Sequence, residues 1–253
     1  MNHKKLLISL ILVFSLIASP VFAAIAIDAT ANGGGTTATS ISWSHTTTGS
    51  NRILFVGFRF ASATNDVTSV TYNGVAMTAI TCSAAPQAAQ FACLYYLVAP
   101  ATGLNTATVN LSSSVRVEPV SISYTGASQT GVPDATSVAT TTASNSVTAT
   151  LTTVANNSWV VGYGYSSGAT ITEGNAGTVV EVRNSNAGFG MIDKNGAVSP
   201  VGATSTAITA AGADGTFAGI WSASFAPAAA AVVPVSRRRS IIIYAPELSK
   251  IYS

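Results

Sequence analysis

The sequence predicts an all-β protein: a two-sheet antiparallel β-sandwich, jelly-roll-like, behind an N-terminal signal peptide. Three observations predict it. Apolar and polar residues alternate with period two through most of the chain. Turn residues recur about every 8–12 positions, as sandwiches and barrels require. No stretch sustains a 3.6-residue apolar pattern, so little helix is expected.

The elements follow in order. Ala24 to Thr30 places Ile25, Ile27 and Ala29 on one face, and Gly33-Gly34-Gly35 ends it. In Thr37 to Thr46, Ile41, Trp43 and His45 alternate with Ser40, Ser42 and Ser44. Asn51 to Phe60 is apolar on both faces, the mark of a central strand covered on both sides. Val70-Thr71-Tyr72 and Val75-Ala76-Met77 flank Asn73-Gly74, a two-residue hairpin turn whose residues tolerate the positive φ it needs. Phe91 to Val98, Thr106 to Leu111 and Val117 to Tyr124 complete the first half. The second half offers strands at Ser146 to Thr153, Trp159 to Tyr165, Thr178 to Arg183, Gly188 to Ile192, Ala203 to Thr209 and Phe217 to Phe225.

The halves echo one another. Asn51 to Gly57 resembles Asn157 to Gly162, and Val120 to Ala127 resembles Ile220 to Pro227. Two equivalent halves suit the two Greek keys of a jelly roll; similar strand composition would produce the same echo.

Residues 1–23 read as the signal peptide. Lys4 and Lys5 precede an apolar run from Leu6 to Ala18, and Val21-Phe22-Ala23 supplies a small-x-small exit, with cleavage after Ala23 or after Ala24. The alternative, an uncleaved anchor, has a run shorter than the ~20 residues that span a bilayer. No later segment is long and apolar enough to span, so no transmembrane segment is expected after the leader is removed. Removing Lys4 and Lys5 takes the eleven basic residues to nine, level with the nine acids. A neutral mature chain lacks the basic field that nucleic acid attracts, so no nucleic-acid partner is expected. With 8% of residues charged, solubility falls to hydroxyls and amides.

Cys82 and Cys93, an even count in an exported chain, read as one disulfide, with two buried thiols as the alternative. A bridge closing so short a loop contributes about 2–3 kcal/mol.

No catalytic set stands out. Gly164-Tyr165-Ser166-Ser167-Gly168 matches a hydrolase elbow, but no helix follows and His45, the one histidine after the leader, lies upstream. His45 reads as an ordinary strand residue near the surface, and one imidazole builds no metal site. No cofactor is expected; Asn65-Asp66 and Asp193 with Asn195 are oxygen sources for calcium, without a dense acidic loop. The acids are scattered singly, which disfavours a glycan-cleaving carboxylate pair. Trp159, Tyr163 and Tyr165 share one strand face, opposite small Val160, Gly162 and Gly164. That stripe either lines a shallow sugar-stacking groove or packs the core.

The domain spans 24–226, and 227–253 is a Pro/Ala linker and tail. The tail carries Arg237, Arg238, Arg239 and Lys250 against Glu247, so it is basic while the body is acidic. Ile241, Ile243 and Tyr244 form a β-prone run with three alternative uses. It clasps its own domain, adds as a strand to a neighbour's sheet, or docks with the arginines on an envelope surface.

Asn51 to Gly57, Val70 to Met77, Leu94 to Gly103 and Ser123 to Ala127, in this order, resemble a family of secreted bacterial and phage-associated β-sandwich domains. The resemblance covers Ile25 to Pro227. It implies a jelly-roll-like fold of a surface or carbohydrate-associated kind, and it transfers no catalytic residue. The expectation is a non-catalytic, secreted or cell-surface binding module, adhesin-like, with a glycan or the cell envelope as partner. The alternative is a structural subunit that self-associates through its tail; a glycan-active hydrolase ranks below both.

Overall fold

The computed structural model describes residues 23–229, apart from 145, 167–169, 174–180, 187, 195 and 212–216. Among these residues all regular structure is strand, every pairing is antiparallel, and there is no helix. Residues 1–22 of the expected leader and the tail residues Arg237, Arg238, Arg239, Ile241, Ile243 and Tyr244 lie outside the described residues.

The first half contributes β1 (Ala26–Asn32), β2 (Thr36–Thr47), β3 (Ile53–Phe60), β4 (Val67–Tyr72), β5 (Val75–Ala76), β6 (Thr78–Ala84), β7 (Phe91–Val98) and β8 (Gly103–Thr125). All eight join one sheet. Asn73 (φ 49°) and Gly74 (φ 75°) turn the expected β4–β5 hairpin. Where the sequence suggests two strands, β8 is continuous and carries two sets of neighbours. Residues 103–111 lie between β2 and β4; residues 117–125 lie between β1 and β3. Ile41, Trp43, Val70, Tyr72 and Val109 from the first set meet Leu54, Val56, Phe58, Phe60 and Cys93 in one buried cluster. The sheet therefore curls over itself and supplies both walls of that core.

The second half contributes β9 (Ala135–Thr141), β10 (Ser146–Thr152), β11 (Trp159–Ser166), β12 (Thr170–Glu173), β13 (Glu181–Asn186), β14 (Phe189–Asp193), β15 (Ala203–Ala211) and β16 (Ala218–Phe225). They form a five-stranded sheet, β13-β14-β11-β16-β9, and a three-stranded sheet, β10-β15-β12. The expected two sheets are thus three among the described residues. Strands β6, β9 and β12 were not anticipated: β6 carries a register break, β9 is Ala/Thr/Ser with little apolar alternation, and β12 has four residues.

The echo between halves holds strand for strand. β1 and β9 pair with the last strand of their half, as do β3 and β11. β2 and β4 flank 103–111 as β10 and β12 flank β15; β6 and β7 follow β3 as β13 and β14 follow β11. The registers agree as well. Ile53 opposes Tyr124 where Trp159 opposes Phe225, and Ala29 opposes Ser123 where Ala135 opposes Ser224. This equates Ser123 with Ser224, one residue away from the alignment the sequence echo suggests.

A second core joins the halves. Ile53, Phe55, Leu94, Val120, Ile122 and Tyr124 on the large sheet pack against Val161, Tyr163, Phe189, Met191, Trp221 and Phe225 on the five-stranded sheet. Ile192, Ala218 and Ile220 on the far face of the latter meet Val147, Ala149 and Ile171 of the three-stranded sheet. Strands β3 and β11 are consequently covered on both faces, as the two-sided hydrophobicity of β3 predicts.

Candidate functional site

The aromatic stripe belongs to the core between the halves. Tyr163 and Tyr165 are 0% and 2% exposed, and Trp159 is half-buried, edge-on to Tyr124 at 5.5 Å. Gly57 makes room for this packing: a Cβ there would stand 2.5 Å from the Tyr163 ring. Burial pushes both phenol groups above their usual range. The reading of Trp159, Tyr163 and Tyr165 as a sugar-stacking groove is overturned, because the large sheet covers their faces. The small positions behind them, Val160, Gly162 and Gly164, are buried as well. Trp43 and Trp221 are core residues too.

A polar seam borders this core. The Tyr165 hydroxyl donates to Gln87, the Trp221 indole donates to Ser83 at 2.8 Å, and the Arg59 guanidinium lies 4.9 Å from the Tyr165 ring centre. Arg59 pairs with Glu118, and Arg116 reaches the same carboxylate at 2.6 Å. Two guanidinium groups thus share the buried Glu118 carboxylate, which ties it to charge balance. Cys82 and Cys93 face each other in register on β6 and β7, bonded as expected, at the base of the loop that carries Gln87 and Gln90.

His45 overturns its assignment as a near-surface strand residue: it is 1% exposed. Its position on β2 alternates with exposed Ser44 and Thr46, which turns it inward with Ile41 and Trp43. Its Nε2 lies 3.0 Å from Ser123 Oγ and its Nδ1 2.9 Å from Ser121 Oγ. Ser123 donates to Asp28 at 3.0 Å, and the Trp43 indole donates to Ser121 at 3.0 Å. Burial lowers the imidazole pKa to about 4, against the pull of Asp28 in the other direction. The grouping resembles a nucleophile relay in composition, yet Ser121 and Ser123 are fully buried and out of reach of a substrate. Sequence spacing gives no hint of it, since its members come from three strands up to 95 residues apart.

Ser166, from the hydrolase-like motif, is buried and donates to the Phe217 carbonyl at 3.0 Å, a structural use. Asp66 accepts from Thr64 and Ser113, and these hydroxyls hold its carboxyl below the usual range. Asp193 is buried and accepts from the Tyr124 hydroxyl at 2.9 Å, while Asn195 lies outside the described residues. No group of three His, Cys, Asp or Glu side chains suited to a metal occurs among the described residues.

What remains open to solvent is a sheet face. On the outside of β2, β8 and β4, Ser40, Asn110 and Ser69 form one cross-strand row and Ser42, Thr108 and Thr71 the next. Ser44 and Thr106 follow, and then Thr46 with Leu104, which is 71% exposed. Strand geometry sets these rows about 7 Å apart along the chain and about 4.8 Å apart between strands. Ser42 and Thr108 share a 2.8 Å hydrogen bond, and Asn110 donates to Ser69 at 2.9 Å. No charged residue occupies these positions. On the second half, Ser146, Thr148, Thr150 and Thr152 of β10 are exposed in the same alternation. The sequence shows this alternation plainly; it is legible as solubility and illegible as a continuous face until the pairing is known.

No known protein family, curated protein or solved structure matches the chain.

Proposed function

We propose that the chain is an exported, non-catalytic β module that works as an extracellular or cell-surface binding protein, adhesin-like in action. Its body, residues 24–226, would be one jelly-roll-like sandwich. Its ligand is a neutral, hydroxyl-rich surface, a glycan above all, met by the outer face of β2, β8 and β4. The observation that supports this reading is the charge-free array of Ser40, Ser42, Ser44, Thr106, Thr108 and Asn110, bounded by exposed Leu104. Hydroxyls and amides exchange hydrogen bonds with sugar hydroxyls in both directions, and an aliphatic side chain meets the C–H face of a pyranose. The polar groups around His45 in the interior, in contrast, are engaged with one another.

The test is retention of the mature chain on neutral insoluble polysaccharides, with Ser42→Lys and Thr108→Lys as probes. Ser42 is exposed and Thr108 half-buried on this face, and each variant gives up their shared hydrogen bond, so folding is expected to survive at a cost of about 1 kcal/mol. Binding that falls at least tenfold in both variants supports the face. Absence of binding to any neutral polysaccharide, or binding indifferent to both lysines, removes it.

A second reading rests on where the chain leaves the body. Ala23 donates to the Ala228 carbonyl at 3.1 Å and Ala228 donates to the Gly126 carbonyl at 2.7 Å, so the two ends of the described residues meet at one corner. The sequence that follows, with Arg237 to Arg239 and Ile241 to Tyr244, suits strand addition to a neighbouring copy in an extracellular assembly. Deleting 236–253 and measuring solution mass decides it: a mass that stays the same argues against the assembly.

A further inference from the structure

We propose that His45 is the centre of an acid-sensitive latch that holds β1 and β2 to β8 at neutral pH and loosens them in mild acid. With a neutral imidazole the hydrogen bonds run in one direction. Asp28, a carboxylate, only accepts, so the hydroxyl hydrogen of Ser123 goes to it. The Ser123 oxygen then has lone pairs left for His45, which places the ring proton on Nε2. A neutral imidazole has a single N–H, so Nδ1 accepts, and Ser121 gives it a hydrogen. The Ser121 oxygen in turn accepts from the Trp43 indole, which can only donate. The result is a one-way chain from Trp43 through Ser121, His45 and Ser123 to Asp28, with every link supplied by neutral histidine. Asp28 also accepts from the Thr48 hydroxyl and from the Thr48 amide at 2.9 Å, which ties the end of β2 to β1.

A second proton on His45 breaks this order. Nδ1 becomes a donor facing Ser121, whose oxygen already receives the indole hydrogen. The hydroxyl hydrogen of Ser121 must then turn toward the Ala31 carbonyl, 3.4 Å away. On β1 the ring meets Asp28 across Ser123, and from β4 the Tyr72 hydroxyl donates to the His45 carbonyl at 3.0 Å. From β8 the ring meets the serines, and Arg52 in the adjoining loop is turned to the carbonyls of Gly49 and Pro100. The depressed imidazole pKa, about 4, agrees with this geometry. The unfolded chain takes up the proton near pH 6.5 and the folded chain only near pH 4, so stability drains away as pH falls between the two. The inference stands whether or not the outer face takes a ligand.

Because the chain has two histidines and His3 lies in the leader, the mature protein offers a single imidazole signal. Proton and nitrogen NMR across pH 7.5 to 3.5 should show an Nε2–H tautomer and a midpoint well below 6.5. A midpoint at 6.5 or above, or an Nδ1–H tautomer, overturns the latch. Urea unfolding of the mature chain and of His45→Gln gives the second readout. The folding constant of the wild type should fall on the order of 100-fold more than that of His45→Gln between pH 7 and pH 4. Equal falls would refute the proposal, and if His45→Gln does not fold, the NMR titration decides alone.

Discussion

The two halves of the molecule share one pairing scheme and solve one corner of it differently. In the first half, Trp43 and His45 project from β2 into a polar chain ending on Asp28. The corresponding β10 positions hold Ala149 and Leu151, both buried, with Leu151 packed beside Val160 and Val198. Yet the carboxylate and its serine are kept: Asp134 accepts from Ser224 as Asp28 accepts from Ser123. The frame therefore requires an acid that ties its first strand to its last. The imidazole is an addition made by one half.

The largest effect should come from the core that joins the halves. Trp221→Ala removes a fully buried ring and its bond to Ser83, at a cost of about 3–5 kcal/mol in urea unfolding. If the halves melt separately in that variant, the join is what makes them one cooperative unit. Next is the comparison itself: Leu151→His puts an imidazole into an apolar site, and should cost about 2–4 kcal/mol at pH 7. A neutral outcome would mean that the second half has a concealed polar partner. Replacing Cys82 and Cys93 together by serine should cost about 2–3 kcal/mol, measured against the oxidised parent.

The matched acids separate the halves more finely. Asp28→Asn and Asp134→Asn each weaken hydrogen bonds to hydroxyls, for about 1–3 kcal/mol. Asp28→Asn should also change the His45 titration midpoint, whereas Asp134→Asn should leave it alone. The smallest effect belongs to the surface: Thr148→Lys on β10 should move stability by no more than about 0.5 kcal/mol.

Several of these elements were legible beforehand for simple physical reasons. β3 is apolar on both faces because both faces are covered, and Asn73-Gly74 must turn because little else tolerates that backbone. The Cys82–Cys93 pairing was legible from an even cysteine count at close spacing. β9 was not legible, since Ala, Ser and Thr alternate there without an apolar signal and its burial comes from its neighbours. His45 was misjudged for a related reason. A histidine between serines reads as polar surface, and only its partners 76 and 78 residues away make an interior position tolerable.

The sequence alone determined the all-β class, the central strand β3 and the Asn73-Gly74 hairpin, and it pointed to the Cys82–Cys93 pair and to an echo between the halves, because period, turn chemistry and cysteine count are local or countable. Tertiary structure decided that the sheets number three, that Trp159, Tyr163 and Tyr165 are core, and that a buried imidazole joins three strands. Those outcomes depend on which faces meet across long separations, and residue order does not carry that information until pairing fixes it.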